Sequence, residues 1–307
     1  MRLPDPLQVP LTIITHPANR GRRARALARG LGWQIWQRTV RRPIDVVVPG
    51  TGHLMTVHPH ATSETPLLYW GLPEWWEMSF ASTWLRPGDV FVDVGAHSGA
   101  FTLVAAAVPR VRVFAYEPSS AAFRRLERNV EANLLSDRVV LRRRAVGSSH
   151  GRVEITTTLD TRNKVVTARP GEPERGEDDA SGFDVHPTEP VEMVTLDAEL
   201  GTAETVSLIK IDTEGSEAGV VAGAERVLAR WRPAVLCEEN GHDAAELLET
   251  LGYRRFHYDP RLHLVKPGRP AGKLERNSLW LADLAAARHR LGPSAVPPEL
   301  EVSASRC

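Results

Sequence analysis

Apolar positions in this chain follow two rhythms that alternate over much of its length. "VFVDV" (90–94), "VRVFAY" (111–116) and "VVL" (139–141) are short, near-continuous apolar runs, and "VEMVTL" (191–196), "SLIKID" (207–212) and "PAVLCEE" (233–239) resume the pattern. Runs of this length, rich in Val and Ile and closed by polar residues, predict buried strands. Between them, Gly99–Val108, Ser119–Leu134 and "SEAGVVAGAERVLARW" (216–231) carry apolar residues three and four apart, the helical period. Strands alternating with helices predict a mostly parallel sheet covered on both faces. "YRRFHY" (253–258) and "NSLWLAD" (277–283) break the alternation and predict a β-hairpin.

The first 69 residues follow a different pattern and read as an N-terminal extension. Residues 20–42 hold eight arginines interleaved with Leu27, Leu31, Trp33, Ile35 and Trp36, which predicts an amphipathic basic helix. Its expected arrangement is a solvated basic face over a packed apolar stripe, with contact to anionic lipid or nucleic acid as the alternative. "IDVVVPG" (44–50) and "HLMTVHP" (53–59) form a hairpin pattern across Gly50-Thr51-Gly52. "PEWWEMSFASTWLRPGD" (73–89) predicts a helix that opens at Pro73 and closes before Pro87-Gly88. The main domain is expected over 70–285, with a polar surface insertion at 157–190, and a tail over 286–307.

Composition narrows the function. The chain of 307 residues has 38 Lys+Arg against 38 Asp+Glu, so its global charge makes no case for a nucleic-acid or membrane partner. Apolar residues make up 42%, and no run approaches the length of a membrane span. Two cysteines, Cys237 and Cys307, make neither a disulfide framework nor a zinc site. The opening MRLPDPLQVP lacks an apolar signal core, and a cytoplasmic home is expected.

The chemistry concentrates in "VFVDVGAHSGAFTLVAAA" (90–107), where a strand ends in Asp93 and passes through Gly95 and Gly99 into a helix. In an open parallel sheet, ligands sit beyond the carboxyl ends of the strands. Glycines four apart are not the G-x-G-x-x-G of a dinucleotide site, and Asp93 would repel a pyrophosphate. The next strand ends in Glu117, whose carboxylate suits a pair of ribose hydroxyls. Two acids at consecutive strand ends ask for a positively charged nucleoside without phosphates, the description of S-adenosylmethionine.

On these residues the chain resembles the FkbM family of S-adenosylmethionine-dependent methyltransferases. The resemblance runs from about Trp70 to Asp283 through "LRPGDVFVDVGAHSGAFTL" (85–103), "FAYEPSS" (114–120), "NVEAN" (129–133), "AVG" (145–147), "TLD" (195–197) and, most specifically, "IKIDTEGSE" (209–217). It implies a class I methyltransferase fold: an α/β, Rossmann-like, seven-stranded mostly parallel sheet with its last strand antiparallel. It also implies cofactor contacts at Asp93, Gly95, His97, Gly99, Glu117 and Ala145. His97 departs from the family, which often has Asn there. Family members typically methylate hydroxyls, commonly on sugars of glycolipids, polysaccharides or natural products.

A hydroxyl needs a positioned base or a metal ion. Asp212, at the tip of "SLIKID", is the leading catalytic candidate, with Lys210 on the same face. For Lys210 an ion pair with a neighbouring acid competes with a substrate role. Glu217 reads equally as a charge at a helix N-terminus. Glu238, Glu239 and His242 follow the next strand: His242 and Glu239 are candidate bases, and Asp212 with Glu238 is a candidate Mg²⁺ pair. N-methylation is disfavoured, because Asp212-Thr213-Glu214-Gly215 stands where an Asn/Asp-Pro-Pro-Tyr/Phe loop would hold a planar amine. A non-catalytic protein that binds the cofactor is the remaining alternative. The expected acceptor is a small molecule or glycolipid, with peripheral membrane contact through the arginine-rich helix.

Overall fold

The computed structural model describes residues 8–157, 165–166, 187–200, 205–238, 242–268, 277–297 and 300. The extension contains α1 (Gln8–Thr15), α2 (Arg23–Thr39), β1 (Ile44–Val47), β2 (Leu54–Val57) and α3 (Thr65–Tyr69). It builds no separate core. Ile13, Trp33, Met55 and Leu67 are buried in the same cluster as Phe91, Leu103 and Leu208 of the main sheet layers. Asn19, fully buried, donates to the carbonyls of Ile13 (2.8 Å) and Tyr69 (2.9 Å), tying the end of α1 to α3.

The sheet elements then follow in order: α4 (Trp75–Trp84), β3 (Val90–Val94), α5 (Ala100–Ala106), β4 (Arg112–Tyr116), α6 (Ser120–Ala132) and β5 (Val139–Arg142). After them come β6 (Ala145–Val146), β7 (Gly151–Thr156), β8 (Val165–Val166), β9 (Thr188–Val194) and α7 (Leu196–Glu199). The chain continues through β10 (Val206–Ile211), α8 (Glu217–Ala222), α9 (Glu225–Trp231), β11 (Ala234–Glu238) and α10 (Asp243–Thr250). It closes with β12 (Arg254–Asp259), β13 (Leu264–Pro267), β14 (Asn277–Leu281) and α11 (Leu284–Leu291). The hairpin β1–β2 is held to α6 by Asn129 and Asn133, whose side-chain oxygens accept from the Thr56 and Leu54 amides.

The main sheet has the order β13-β12-β14-β11-β10-β3-β4-β5. β5, β4, β3, β10 and β11 run parallel, while β14 lies antiparallel between β11 and β12. This is the expected class I arrangement, with the last strand reversed. An eighth strand, β13, was not legible in advance and pairs antiparallel with β12 at the edge. Every residue of β3, β10 and β11 is buried, as near-continuous apolar runs require when helices cover both faces.

Three expectations need correction. The helix expected over 216–231 is two helices, α8 and α9. At the break, a Cβ on Gly223 would sit 2.0 Å from the Gly147 carbonyl oxygen, so the backbones touch where a side chain would separate them. The expected polar insertion is partly sheet: 165–166 and 188–190 are strand in a second sheet of order β6-β9-β7-β8, while 158–164 and 167–186 lie outside the described residues. The expected tail begins inside α11, and Ala287, Leu291, Ala295 and Val296 are buried in the core.

Candidate active site

The carboxyl ends of β3, β4 and β10 open onto a cavity of about 490 Å³. That volume suits a small-molecule site. One part of its wall is made of the β3–α5 turn, Glu117, Ala145 and Val146, and another of Trp70, Glu74, Trp75 and Trp76. Lys210, Asp212, Glu214 and Glu238 also line it.

The turn owes its shape to Gly95. Its φ is +76°, and a Cβ there would lie 1.8 Å from the backbone oxygen of Asp212. The glycine lets the tips of β3 and β10 meet, so the close approach inferred from sequence is made to the protein's own backbone. His97 also takes a left-handed conformation (φ 49°), which Asn and His tolerate better than most residues. Its amide donates to Glu117 Oε2 (2.8 Å), and the Ser119 amide donates to Glu117 Oε1 (2.8 Å). Burial pushes the Glu117 carboxyl above its usual range, against the His97 charge and these two amides. Each oxygen keeps an unused lone pair toward a ligand.

Behind the turn sits Lys210, 4% exposed. Its ammonium donates to the Gly95 carbonyl (2.8 Å), lies 3.2 Å from Asp212 and 3.9 Å from Asp93, and stands 5.4 Å from the centre of the Phe101 ring. Burial alone would lower its pKa, but the Asp212, Asp93 and Glu74 carboxylates outweigh burial and raise it. Asp93 is fully buried and does not line the cavity. Thr102 donates to its Oδ2 (2.7 Å), and burial raises its pKa despite Lys210. The sequence reading aimed Asp93 at the cofactor. The structure puts it one layer back, because an acid inside an all-buried strand needs a buried cation. Gly99 likewise stays out of the cavity, as a left-handed residue at the head of α5 facing Leu126.

On the other side of Lys210 the carboxyl groups crowd together. Ligand oxygens of Asp212, Glu214 and Glu238 lie within 4.8 Å of one another. Glu238 stands within hydrogen-bond reach of Asp212. Burial pushes the Asp212 carboxyl up, but the Lys210 ammonium and then Glu238 outweigh burial and hold it below the usual range. Glu74 accepts from the Asn277 amide (2.8 Å), and burial followed by the Asp212 charge pushes its carboxyl well above the ordinary range. Asn277 Oδ1 is a buried oxygen without a hydrogen-bond partner.

The aromatic wall is continuous. His16 stacks on Trp70 (centroids 4.7 Å apart, planes 12° apart) and meets Trp75 edge-on at 6.2 Å, while Trp75 lies 4.7 Å from Trp76. Burial lowers the His16 pKa to about 4, so the ring is neutral near pH 7.

Of the sequence-derived residues, the cavity gathers Gly95, His97, Glu117, Ala145, Asp212 and Glu238. His242, the other expected base, is exposed ahead of α10 and does not line the cavity. Glu239 lies outside the described residues. Glu217 takes the structural role. Its Oε1 accepts from the amides of Thr213 and Gly215 (3.0 Å each) and the Thr213 hydroxyl (3.1 Å), fastening the turn that presents Asp212. Sequence reasoning missed His16, Trp70, Glu74, Trp75, Trp76 and Asn277. Only "PEWWE" (73–77) carried a signal, as adjacent tryptophans between acids at a helix start.

Residues 93–258 match the methyltransferase FkbM domain. Among solved structures, the chain is similar to an FkbM methyltransferase from Methylobacillus flagellatus (16% identity, TM-score 0.42), covering 84% of this chain and 60% of that one. It is also similar to precorrin-6Y C5,15-methyltransferase from Geobacter metallireducens (13% identity, TM-score 0.37, 66% of this chain and 85% of that one). A third is an S-adenosylmethionine-dependent O-methyltransferase from Thermotoga maritima (15% identity, TM-score 0.35, 66% of this chain and 63% of that one). The chain thus spans about 60% of the first of these relatives. No curated protein matches its sequence. With more than half of its length matched, from the acid of β3 to the middle of β12, the chain belongs to the FkbM methyltransferase family.

Proposed function

We propose that this chain is an O-methyltransferase that uses S-adenosylmethionine to methylate a hydroxyl on a sugar or sugar-bearing acceptor. The observation that carries the reading is one cavity with two unlike walls, a glycine turn with Glu117 and a group of tryptophans, with Asp212, its carboxyl held below the usual range, lining the same space. The donor fits the first wall. Glu117 has an acceptor position left on each oxygen, suited to a ribose diol, and Ala145 with Val146 offers an apolar surface for the adenine. Bound there, S-adenosylmethionine supplies an electrophilic methyl group on a sulfonium.

The second wall suits an acceptor with apolar ring faces and hydroxyl edges. Aromatic rings pack against the C–H faces of a sugar, while carboxylates and the free Asn277 Oδ1 accept from its hydroxyls. Asp212 accepts the hydrogen bond of the reacting hydroxyl and fixes its direction. An alcohol oxygen becomes acidic only as its new bond to carbon forms, so a carboxylate of low basicity suffices to take the proton late. Glu238, within hydrogen-bond reach of Asp212, orients that carboxylate toward the hydroxyl. Alignment of the two reacting groups supplies much of the acceleration. Mg²⁺ held by Asp212, Glu214 and Glu238 is the second reading, favoured by their mutual distances.

The test is mass spectrometry of glycosylated hydroxyl compounds incubated with enzyme and methyl-labelled S-adenosylmethionine. A methyl ether formed by the wild type and not by Asp212→Asn, with donor binding retained, is the expected result. Label on nitrogen, or full turnover by Asp212→Asn, would overturn it. Loss of rate with chelator and recovery with Mg²⁺ selects the metal reading.

A further inference from the structure

The apolar residues that the sequence assigns to a packed stripe on α2 largely face outward. Trp33 is 2% exposed, but Ile35 is 64% exposed, Leu31 43% and Trp36 38%. The buried side of the helix is Ala26, Gly30, Trp33 and Gln37. Opposite them, Ala24, Ala28, Leu31 and Ile35 are spaced four, three and four apart, which aligns them on one exposed face. Arg25 and Arg38 flank that row at helical spacing. On neighbouring α1, Leu11 is 62% exposed.

The charge of this region is as one-sided as its apolar exposure. Residues 8–63 contain eight arginines, all exposed, and a single acid, Asp45. Among the described residues no carboxylate lies within ion-pair distance of any of the eight, whereas arginines elsewhere in the chain, such as Arg144 and Arg290, have acidic partners. The chain is neutral overall, so this end concentrates positive charge that the rest balances at a distance.

We propose that the outward face of α2 docks on an anionic lipid bilayer, with Leu31 and Ile35 entering the boundary of headgroups and acyl chains and the flanking arginines engaging lipid phosphates. An exposed apolar row with arginines on both sides is the pattern of a helix lying in a membrane surface. No helix among the described residues is long and apolar enough to cross a membrane, so the contact is peripheral. Nucleic acid would use the arginines but leave the apolar row in water. A second copy would bring the Arg25 and Arg38 pair of one chain against that of the other with no acid on the face to offset them. A bilayer satisfies both features at once.

The test is co-sedimentation of the full chain with vesicles of phosphatidylcholine alone and of phosphatidylcholine with phosphatidylglycerol. Binding is expected to the second kind only, and to weaken with salt. Arg25→Gln combined with Arg38→Gln is expected to weaken it roughly 25-fold, about fivefold per arginine. Ile35→Asp, at a position 64% exposed, is expected to weaken it by about tenfold or more while leaving circular dichroism unchanged. The proposal falls if the wild type does not bind anionic vesicles, binds neutral ones equally, or if both variants bind as it does. It also falls if a nucleic-acid duplex binds and vesicles do not, or if sedimentation velocity shows a dimer that Ile35→Asp dissociates.

Discussion

Replacing Lys210 with methionine would leave two carboxylates stranded behind the β3–β10 tips. Methionine keeps most of the length of the side chain and its contact with Phe101, but loses the ammonium that stands 3.2 Å from Asp212 and 3.9 Å from Asp93. It also leaves the Gly95 carbonyl without its 2.8 Å donor. Asp93 is fully buried, with Thr102 the one side chain hydrogen-bonded to it, so it cannot recover the loss from water. Removing one partner of such a buried arrangement costs about 3–5 kcal/mol, which in a chain of this size is a fall of roughly 5–8 °C in Tm. The effect carries a pH signature. Asp93 already has a folded-state pKa above its unfolded value, and losing Lys210 raises it further. The native variant therefore binds more protons than the unfolded chain. Its deficit is largest at alkaline pH and shrinks as pH falls through the raised pKa. Thermal unfolding by circular dichroism at pH 8 and pH 5 reads this directly, and adding Asp93→Asn to the variant should recover part of the loss at pH 8. A Tm within about 2 °C of wild type at pH 8, with no pH dependence, would refute the buried triad as the support of the site.

Glu117→Gln replaces one of the two amide-accepting oxygens and removes the charge, and is expected to weaken S-adenosylmethionine binding by roughly 10- to 150-fold in calorimetry, the loss of one charge-assisted hydrogen bond. Glu74→Gln should raise Tm at neutral pH. The Glu74 carboxyl is pushed above its unfolded value by burial and by Asp212, so the wild type loses stability as pH rises above the ordinary carboxyl range, and the glutamine variant does not. The gain should vanish below about pH 4, where the carboxyl is protonated in both states.

Much of the sheet was legible because burial on both faces leaves a plain trace. Val90–Val94, Val206–Ile211 and Ala234–Glu238 are apolar runs, and each became a central strand. The reversed strand β14 was visible as a pattern that stopped alternating with helices. The site was half legible. Glu117 and Asp212 stand at strand ends, where chain position and spatial position coincide. His242 shows the limit of that logic: only four positions after Glu238 it stands outside the cavity lining, and nothing in its composition says so.

By itself, then, the sequence determined the parallel sheet, the glycine turn and the acids at its tips, since each depends on neighbours within a few positions. Tertiary structure alone decided which of those acids face a ligand. Asp93 turned inward to Lys210 through pairing of β3 with β10, more than a hundred positions later in the chain, while Glu117 stayed at the cavity. It also decided what else lines the cavity, because Glu74, just ahead of α4, reaches Asn277 at the start of β14 only in the folded chain. The outward turn of Leu31 and Ile35 was settled the same way. A helix with apolar residues all round offers two faces, and only the packing of Trp33 against the core selects which one is buried.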